Sequence, residues 1–146
     1  MKQQDYQCRI TSPVSAQAAF EAIAQVSGWW AKQVEGYSES LHDVFTVRFA
    51  HGQTYVTFEI TELIPDQRVV WLVTDCNLHW IGNKTEWTGT SIVWEIASTA
   101  DGIRIDMTHR GLVPQVECFN DCQAGWDDHI GNSLKNYLTE HVGMPV

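Results

Sequence analysis

The sequence predicts an α+β fold, in which a curved antiparallel sheet of about six strands is wrapped on a long C-terminal helix, with short helices after the first strand. Apolar residues alternate with polar ones through the middle of the chain, as in half-buried strands. Near the end they recur every three to four residues, as in an amphipathic helix. This last helix is long enough to cover one face of the sheet. With 146 residues, the chain is expected to form a single domain, residues 1–146.

The N-terminal part of the sequence predicts a strand followed by a short helix. Residues 6–10 are the strand candidate, and a proline-containing turn at residues 11–13 ends it. Ser15 is a favourable N-cap residue, and apolar residues follow it at helical spacing. We expect this helix to stop near residues 27–28, where serine and glycine occur.

Several further strands are expected in the middle of the chain. The candidates are residues 44–49, 55–63, 68–75, 89–98 and 103–110. The first two flank a tight turn at residues 50–52, and the last two flank Asp101-Gly102, a dipeptide typical of two-residue hairpins. Successive strands joined by short turns pair antiparallel, so the sequence predicts a meander.

The last helix has a start signal, an apolar stripe and a stop signal. Asn120 and Gln123 can form a capping box at its start, and residues 142–145 contain a glycine and a proline that would end it. The stripe consists of Cys122, Trp126, Ile130, Leu134, Tyr137 and Leu138. About twenty helical residues extend over about 30 Å, the diameter of a small domain.

The chain is acidic, with 18 Asp and Glu residues against 9 Lys and Arg residues and a formal net charge of −9. Binding to nucleic acid or to an anionic membrane surface needs clustered basic residues, so we expect neither partner. No apolar run approaches the ~18 residues of a membrane span, and the N-terminus lacks the apolar core of a signal peptide. A cytoplasmic location is therefore expected.

The four cysteines, at positions 8, 76, 118 and 122, are sparse and irregularly spaced. In a cytoplasmic protein such cysteines are expected to be reduced thiols. Cys118 and Cys122 share one face of the predicted helix, but no further Cys or His stands nearby at ligand spacing. We therefore expect packing thiols instead of a metal site, and the sequence indicates no cofactor.

Five short motifs follow one another along the chain. They are Trp29-Trp30, Pro65-Asp66-Gln67-Arg68-Val69-Val70-Trp71, Thr108-His109-Arg110-Gly111, Gly125-Trp126 and Tyr137-Leu138. In this order they resemble the AHSA-type branch of the START-like (SRPBCC) superfamily, the relatives of heat-shock chaperone ATPase activators. The resemblance spans nearly the whole chain and implies the helix-grip fold. Residues 76–88 match no pattern of that family, so ligand specificity is expected to differ there.

The resemblance implies several classes of function. START-like domains include lipid and hormone carriers, polyketide cyclases and aromatases, ring-hydroxylase subunits and chaperone activators, so the fold alone does not fix an activity. The leading expectation is a non-catalytic module that binds a small apolar or aromatic molecule. A co-chaperone-like module with a chaperone as partner is the second expectation, and a polyketide cyclase-like enzyme is the third. The chain is expected to be a monomer or a homodimer.

Strand alternation assigns a cavity-facing side to the sheet. Met107 and His109 share that side of the last strand, and Trp94 has it on the neighbouring strand. For the strand that carries Trp71 and Asp75, the inner side is chosen by analogy with the family. A wall this apolar suits a small hydrophobic or aromatic ligand held by a few polar anchors. The predicted ligand-binding residues are Trp71, Asp75, His79, Trp80, Trp94, Met107, His109, Trp126 and Ile130.

His109 and Asp75 are the expected polar anchors, because each lies at the end of an otherwise apolar inner face. His79 or Trp80 would form the rim of the cavity. Inner tryptophans such as Trp71, Trp94 and Trp126 are more often plain core residues than ligand contacts, and a histidine such as His109 is more often hydrogen-bonded and buried than catalytic. His109 and Asp75 are also the candidates for an acid or base, and neither has a visible partner. No nucleophile elbow, phosphate loop or metal-binding helix motif occurs, so nothing in the sequence indicates an enzyme.

Overall fold

The elements of the computed structural model, which describes residues 4–146, follow the predicted order. The strands are β1 (Tyr6–Ser12), β2 (Gln33–Gly36), β3 (Val44–Phe49), β4 (Thr54–Ile64), β5 (Arg68–Asn77), β6 (Ser91–Thr99) and β7 (Gly102–Arg110). The helices are α1 (Ala16–Ala24), α2 (Val26–Trp29), α3 (Phe119–Asp128) and α4 (Lys135–Glu140). A 3-10 turn, Ala50–Gly52, joins β3 to β4, and a π-helical segment, His129–Leu134, joins α3 to α4. We call the continuous run of residues 119–140 the terminal helix.

Within the described residues the strands form one antiparallel sheet in the order β1-β7-β6-β5-β4-β3-β2. β1 pairs with β7, with Tyr6 opposite His109, so the first strand lies beside the last one. The strand that the sequence did not indicate is β2. It is four residues long and mostly exposed, so it lacks the alternation of a half-buried strand. The predicted α+β architecture is confirmed, and no helix between residues 4 and 146 is long and apolar enough to cross a lipid bilayer.

The core lies between the inner face of the sheet and the terminal helix. The helix buries most of its predicted stripe, namely Cys122, Trp126, Ile130, Leu134 and Leu138. On the sheet side, the ring centroid of Trp71 lies 5.3 Å from that of Trp94 and 5.4 Å from that of Phe58. Aromatic pairs at such distances add about 0.5–1.5 kcal/mol beyond the area that they bury, so this cluster stabilises the centre of the domain.

A β-bulge in β5 reverses the sides of its last residues. Thr74 has no partner in the β4–β5 register, and it is exposed together with Asp75, whereas Cys76 is buried. The carboxylate of Asp75 accepts a hydrogen bond from the hydroxyl of Tyr55 at 3.0 Å, outside the core. The prediction that Asp75 shares the inner face with Trp71 is therefore wrong, because one extra residue changes the alternation of the strand.

The start of the terminal helix is capped by a distant loop. The carboxylate of Glu86, between β5 and β6, accepts hydrogen bonds from the backbone N–H groups of Glu117 and Cys118 at 2.9 and 3.0 Å. A carboxylate is favourable there because it meets the unpaired N–H groups and the positive end of the helix dipole. The predicted capping box of Asn120 and Gln123 is wrong, since the helix begins one residue before Asn120 and no side-chain cap forms at its N-cap.

Cys118 and Cys122 are joined by a disulfide at the first turn of the terminal helix, with their Cα atoms 5.6 Å apart. The expectation of reduced thiols is therefore wrong for this pair. Residues four apart on a helix are neighbours, and this separation lies within the range that a disulfide can join. Cys8 and Cys76 are free, and burial raises the pKa of the Cys8 thiol.

The last residues of the chain pack against the segment that follows α1. The backbone N–H of Val146 donates to the carbonyl of Trp30 at 2.9 Å. Ser133 is buried in the π-helical segment, and its hydroxyl donates to the carbonyl of Trp29 and accepts from the backbone N–H of Met144 at 2.7 Å. These hydrogen bonds connect the terminal helix, α2 and the C-terminal tail.

Replacing Gly143 by Ala is expected to lower the free energy of unfolding by about 1–3 kcal/mol. The added Cβ would lie 2.1 Å from the carbonyl oxygen of Gly28 and 2.9 Å from the Cα atom of Trp29, and these backbone atoms cannot rotate away. Urea unfolding measures the change. Gly131→Ala is the control, because its Cβ would meet no atom within 4 Å and alanine favours the helix. Equal losses in the two variants would contradict close packing of the tail.

Candidate functional site

A cavity of about 270 Å³ lies between the sheet and the first half of the terminal helix. Its apolar lining consists of Trp30, Phe49, Val56, Leu78, Trp80, Trp87, Trp126 and Val146. The remaining lining residues are Thr54, His79, Asp121, Cys122, Gly125 and His129. An apolar concave surface with a small number of polar groups is the usual form of a small-molecule site.

The position of the cavity follows from how Trp30 packs. Its ring lies parallel to that of Trp71, with centroids 6.3 Å apart and 4° between the planes, and its centroid is 4.9 Å from that of Trp126. The indole therefore fills the space between the middle of the sheet and the helix. The empty volume remains beside it, next to the loop that joins β5 to β6.

The β5–β6 loop crosses the mouth of the cavity. Trp80 is 45% exposed, and its Nε1 atom donates to Oδ2 of Asp121 on the terminal helix at 3.2 Å. On the sheet side, the ring of His79 hydrogen-bonds with the hydroxyl of Thr54. The ammonium group of Lys84 donates to the carbonyl of His79 at 2.8 Å. The loop is thus connected to both walls of the cavity.

Two carboxylates, one in this loop and one at the start of the terminal helix, each accept hydrogen bonds from the backbone of the other segment. Glu117 accepts from the backbone N–H groups of Gly82 and Asn83 at 2.7 and 3.2 Å. Glu86, in the loop, accepts in return from the backbone of Glu117 and Cys118. Hydrogen bonds to an ionised acceptor are roughly twice as strong as neutral ones, so they define the conformation of the loop.

An enclosed chain of hydrogen bonds holds two tryptophans of the cavity wall. Trp126 donates from Nε1 to Nδ1 of His109 at 3.1 Å, and Nε2 of His109 lies 2.9 Å from the hydroxyl of Thr90. That hydroxyl donates to the carbonyl of Trp87 at 2.6 Å, so it accepts from His109. The rings of Trp87 and Trp126 stack with centroids 6.0 Å apart and 9° between planes. The chain therefore joins the indole of Trp126 to the backbone of Trp87. The indole of Trp87 packs edge-on against the His109 ring, with centroids 4.6 Å apart, and donates to Sγ of Cys118 at 3.2 Å.

His109 itself is fully buried and does not line the cavity. Burial lowers the pKa of its imidazole to about 3, which keeps the ring neutral at pH 7. The ring is enclosed and both of its nitrogens are engaged, so the structure places His109 behind the cavity wall instead of in its lining. Its role as a ligand anchor stays a prediction. The alternative, a hydrogen-bonded buried histidine, describes it.

His129 is the imidazole inside the cavity that the sequence analysis missed. Its ring lies beside Trp30 and Trp126, with centroid distances of 6.2 and 6.5 Å. It is the first residue of the π-helical segment, where the turn of the helix is wider. Burial lowers its pKa, against the opposing effect of the nearby Asp128 carboxylate. Its spacing of three residues from Trp126 was a usable signal, because such residues share a helix face.

The predicted ligand-binding residues lie in four different environments. His79, Trp80 and Trp126 line the cavity. The core residues Trp71, Trp94, Met107 and Ile130 are fully buried and lie outside the cavity lining. His109 lies behind the wall, and Asp75 is exposed beyond the bulge.

Trp87 was also missed, because it lies in a loop where neither periodicity nor a family pattern marks inner residues.

A sheet wrapped on a terminal helix, with an apolar cavity between them, defines the class: a helix-grip domain. Solved structures show the same fold over most of the chain. The Aha1 dimer from Colwellia psychrerythraea is 22% identical, with 92% of this chain and 96% of that one covered and a TM-score of 0.75. An AHSA1-like protein from Aeromonas hydrophila is 15% identical, with 92% of each chain covered and a TM-score of 0.66.

A third similar structure is DynU16, a protein of the dynemicin biosynthetic locus. It is 15% identical, with 90% of this chain and 46% of that one covered and a TM-score of 0.65. These likenesses confirm the helix-grip fold, and the AHSA-type structures among them agree with the motifs in the sequence. No protein-family model matches the chain, and no curated protein does.

Replacing His109 by Gln is expected to weaken the dependence of the free energy of unfolding on pH below about pH 6.5. The pKa of about 3 in the folded state lies below the ~6.5 of an unfolded histidine, so the unfolded state binds more protons between these values. The contribution of His109 to the free energy of unfolding is therefore fully present above about pH 6.5. It falls as the pH drops toward 3, by at most about 1.4 kcal/mol per pH unit. Urea unfolding of both proteins over this range isolates the contribution of His109.

Proton NMR of the wild-type protein gives an independent measurement if the variant does not fold. The His109 ring is expected to show no protonation step between about pH 5 and pH 8, since its neutral form is the buried one. A titration of that ring near its ordinary pKa would contradict the enclosed hydrogen-bond chain.

Proposed function

We propose that the chain binds a small hydrophobic or aromatic molecule in this cavity without transforming it. The observation that carries the proposal is an aromatic cavity whose walls are held in position from outside. The indole of Trp126 donates to His109 and that of Trp87 donates to Cys118, so the space between sheet and helix does not need a ligand to define it. A preformed site binds with a smaller ordering cost.

The size and chemistry of the cavity favour a compact ligand. Its volume of about 270 Å³ lies just below the ~300–1,000 Å³ of pockets for drug-sized molecules. One or two fused rings suit it better than a long acyl chain. Flat rings can contact the faces of Trp30 and Trp126, and burial of apolar area contributes about 25 cal/mol per Å² before the costs of association.

Binding without turnover is proposed because the two residues that the sequence offered as acid or base do not reach the cavity, and because the two imidazoles that line it, His79 and His129, have no hydrogen-bonded carboxylate among residues 4–146. His109 is enclosed behind the wall, and Asp75 is on the exposed side of β5. A general acid or base must come within hydrogen-bonding reach of the substrate. Release of the ligand in unchanged form, followed by mass spectrometry, supports the proposal, and a chemically altered product contradicts it.

The resemblance to AHSA-type structures also underlies the proposals on partners and location. A chaperone is the protein partner that this resemblance favours, with a location in the cytoplasm. The Colwellia structure is that of a dimer, which supports a homodimer here as well. Size-exclusion chromatography with light scattering is expected to give twice the chain mass of 16.6 kDa, and the mass of a single chain would contradict the dimer.

A thermal-shift screen against fatty acids, flavonoids, sterols and aromatic polyketides tests the binding function. Compact aromatic compounds are expected to raise the melting temperature, since a ligand at a hundred times its dissociation constant stabilises the folded state by about 2.7 kcal/mol. Quenching of tryptophan fluorescence by the same compounds would locate them at the indole wall. Binding that leaves the tryptophan emission unchanged would contradict this site.

Replacing Gly125 by Leu is expected to abolish the ligand-induced shift while leaving the fold intact. Gly125 lines the cavity, and the nearest atom to an added Cβ would be Nε2 of His129 at 4.0 Å, so a larger side chain can extend into the empty space. Gly131→Leu is the matched control on the same helix, because its Cβ would meet no atom within 4 Å and it does not line the cavity. Equal shifts in both variants would place the ligand elsewhere.

A further inference from the structure

The cavity contains one inner polar side chain that the protein itself does not satisfy. His129 lines the cavity beside Trp30 and Trp126. The shift of its pKa comes from burial and from the charge of Asp128, with no hydrogen bond to the ring among its causes. Within residues 4–146 we find no side chain or backbone group that pairs with its nitrogens. Thr54 and His79, by contrast, pair with each other. The nitrogens of His129 are not among the enclosed unpaired atoms, so solvent reaches them, and a ligand hydroxyl can replace that solvent as their partner.

The charge around the cavity disfavours an anionic ligand. Among residues 4–146, no lysine or arginine lines the cavity, and the carboxylate of Asp121 stands at the mouth. The net charge of the chain is −9, so the surrounding field also repels anions. Burial lowers the pKa of His129, which keeps this ring uncharged at neutral pH. A carboxylate in the cavity would therefore lose its hydration without gaining a cationic partner.

We infer that the cavity selects an uncharged aromatic alcohol, a phenol-like molecule of one or two rings, whose hydroxyl group hydrogen-bonds with the imidazole of His129. This inference rests on the proposed function and specifies its ligand class. A neutral imidazole offers one N–H donor and one nitrogen acceptor, and a hydroxyl group can complement either of them. The rings of Trp30 and Trp126, beside His129, supply the apolar surface for the rest of the molecule.

Calorimetric titration with three probes of one ring system tests the inference at about pH 7.5, where naphthalene and 2-naphthol are neutral and 2-naphthoate is an anion. In the wild-type protein 2-naphthol is expected to bind roughly fivefold more tightly than naphthalene, the effect of one typical hydrogen bond, with 2-naphthoate the weakest. In His129→Phe the preference for 2-naphthol over naphthalene is expected to disappear, while naphthalene itself still binds.

Two further variants separate recognition from packing. His129→Asn retains a hydrogen-bonding side chain and is expected to recover part of the preference for 2-naphthol. His141→Asn is the matched control, because His141 is exposed at the end of the same helix with φ of 59°, a conformation that asparagine tolerates. It is expected to leave all three affinities unchanged. If His129→Phe does not fold, ¹⁵N NMR of the wild-type His129 ring is expected to respond to 2-naphthol and not to naphthalene.

The outcomes distinguish this inference from the function on which it rests. Binding of naphthalene and 2-naphthol with equal affinity, or an undiminished preference in His129→Phe, would overturn the role of His129 and leave the cavity as a ligand site. Tightest binding of 2-naphthoate would overturn the selection of an uncharged ligand. Absence of binding by all three probes would overturn the proposed function together with the inference.

Discussion

The ring of Trp30 lies between the sheet and the terminal helix, and its position determines which part of that space stays empty. It is parallel to Trp71 on one side and in contact with Trp126 on the other. Protein interiors are packed nearly as densely as organic crystals, so an indole fixed on both sides leaves no room at the centre of the domain. The remaining volume lies beside the β5–β6 loop. The cavity is the part of the space between sheet and helix that Trp30 does not fill.

The wall that faces this volume depends on the buried hydrogen bonds of His109. An unpaired buried polar group costs about 1–3 kcal/mol, whereas each group in this chain has a partner. Trp87 and Trp126 are therefore held without any contribution from a ligand. Trp94 shows the contrast, because its enclosed indole nitrogen has no partner within residues 4–146 and the residue does not line the cavity. The hydrogen-bonded indole thus belongs to the cavity wall, and the unpaired indole nitrogen belongs to the core outside it.

The mouth of the cavity depends on contacts between segments that are distant in sequence. Glu86 and Glu117 join the β5–β6 loop to the start of the terminal helix, where the disulfide also lies. The hydrogen bond from Trp80 to Asp121 is a single contact at 3.2 Å, whereas Glu86 and Glu117 each accept two hydrogen bonds. It is therefore the link that breaks at the lowest cost. The firmly bonded part of the loop lies closer to the helix start.

Apart from the short strand β2, the order of strands and helices and the apolar stripe of the terminal helix follow from the sequence alone, because periodicity is a local property of the chain. The sequence also indicated His79, Trp80 and Trp126, which line the cavity. The environments of other residues were decided by the tertiary structure. One unpaired residue in β5 moved Asp75 to the exposed side, and partners far along the chain enclosed His109, while packing around a π-helical turn left His129 in the cavity. The physical reason is that strand register, burial and hydrogen-bond partners depend on residues that only folding brings together.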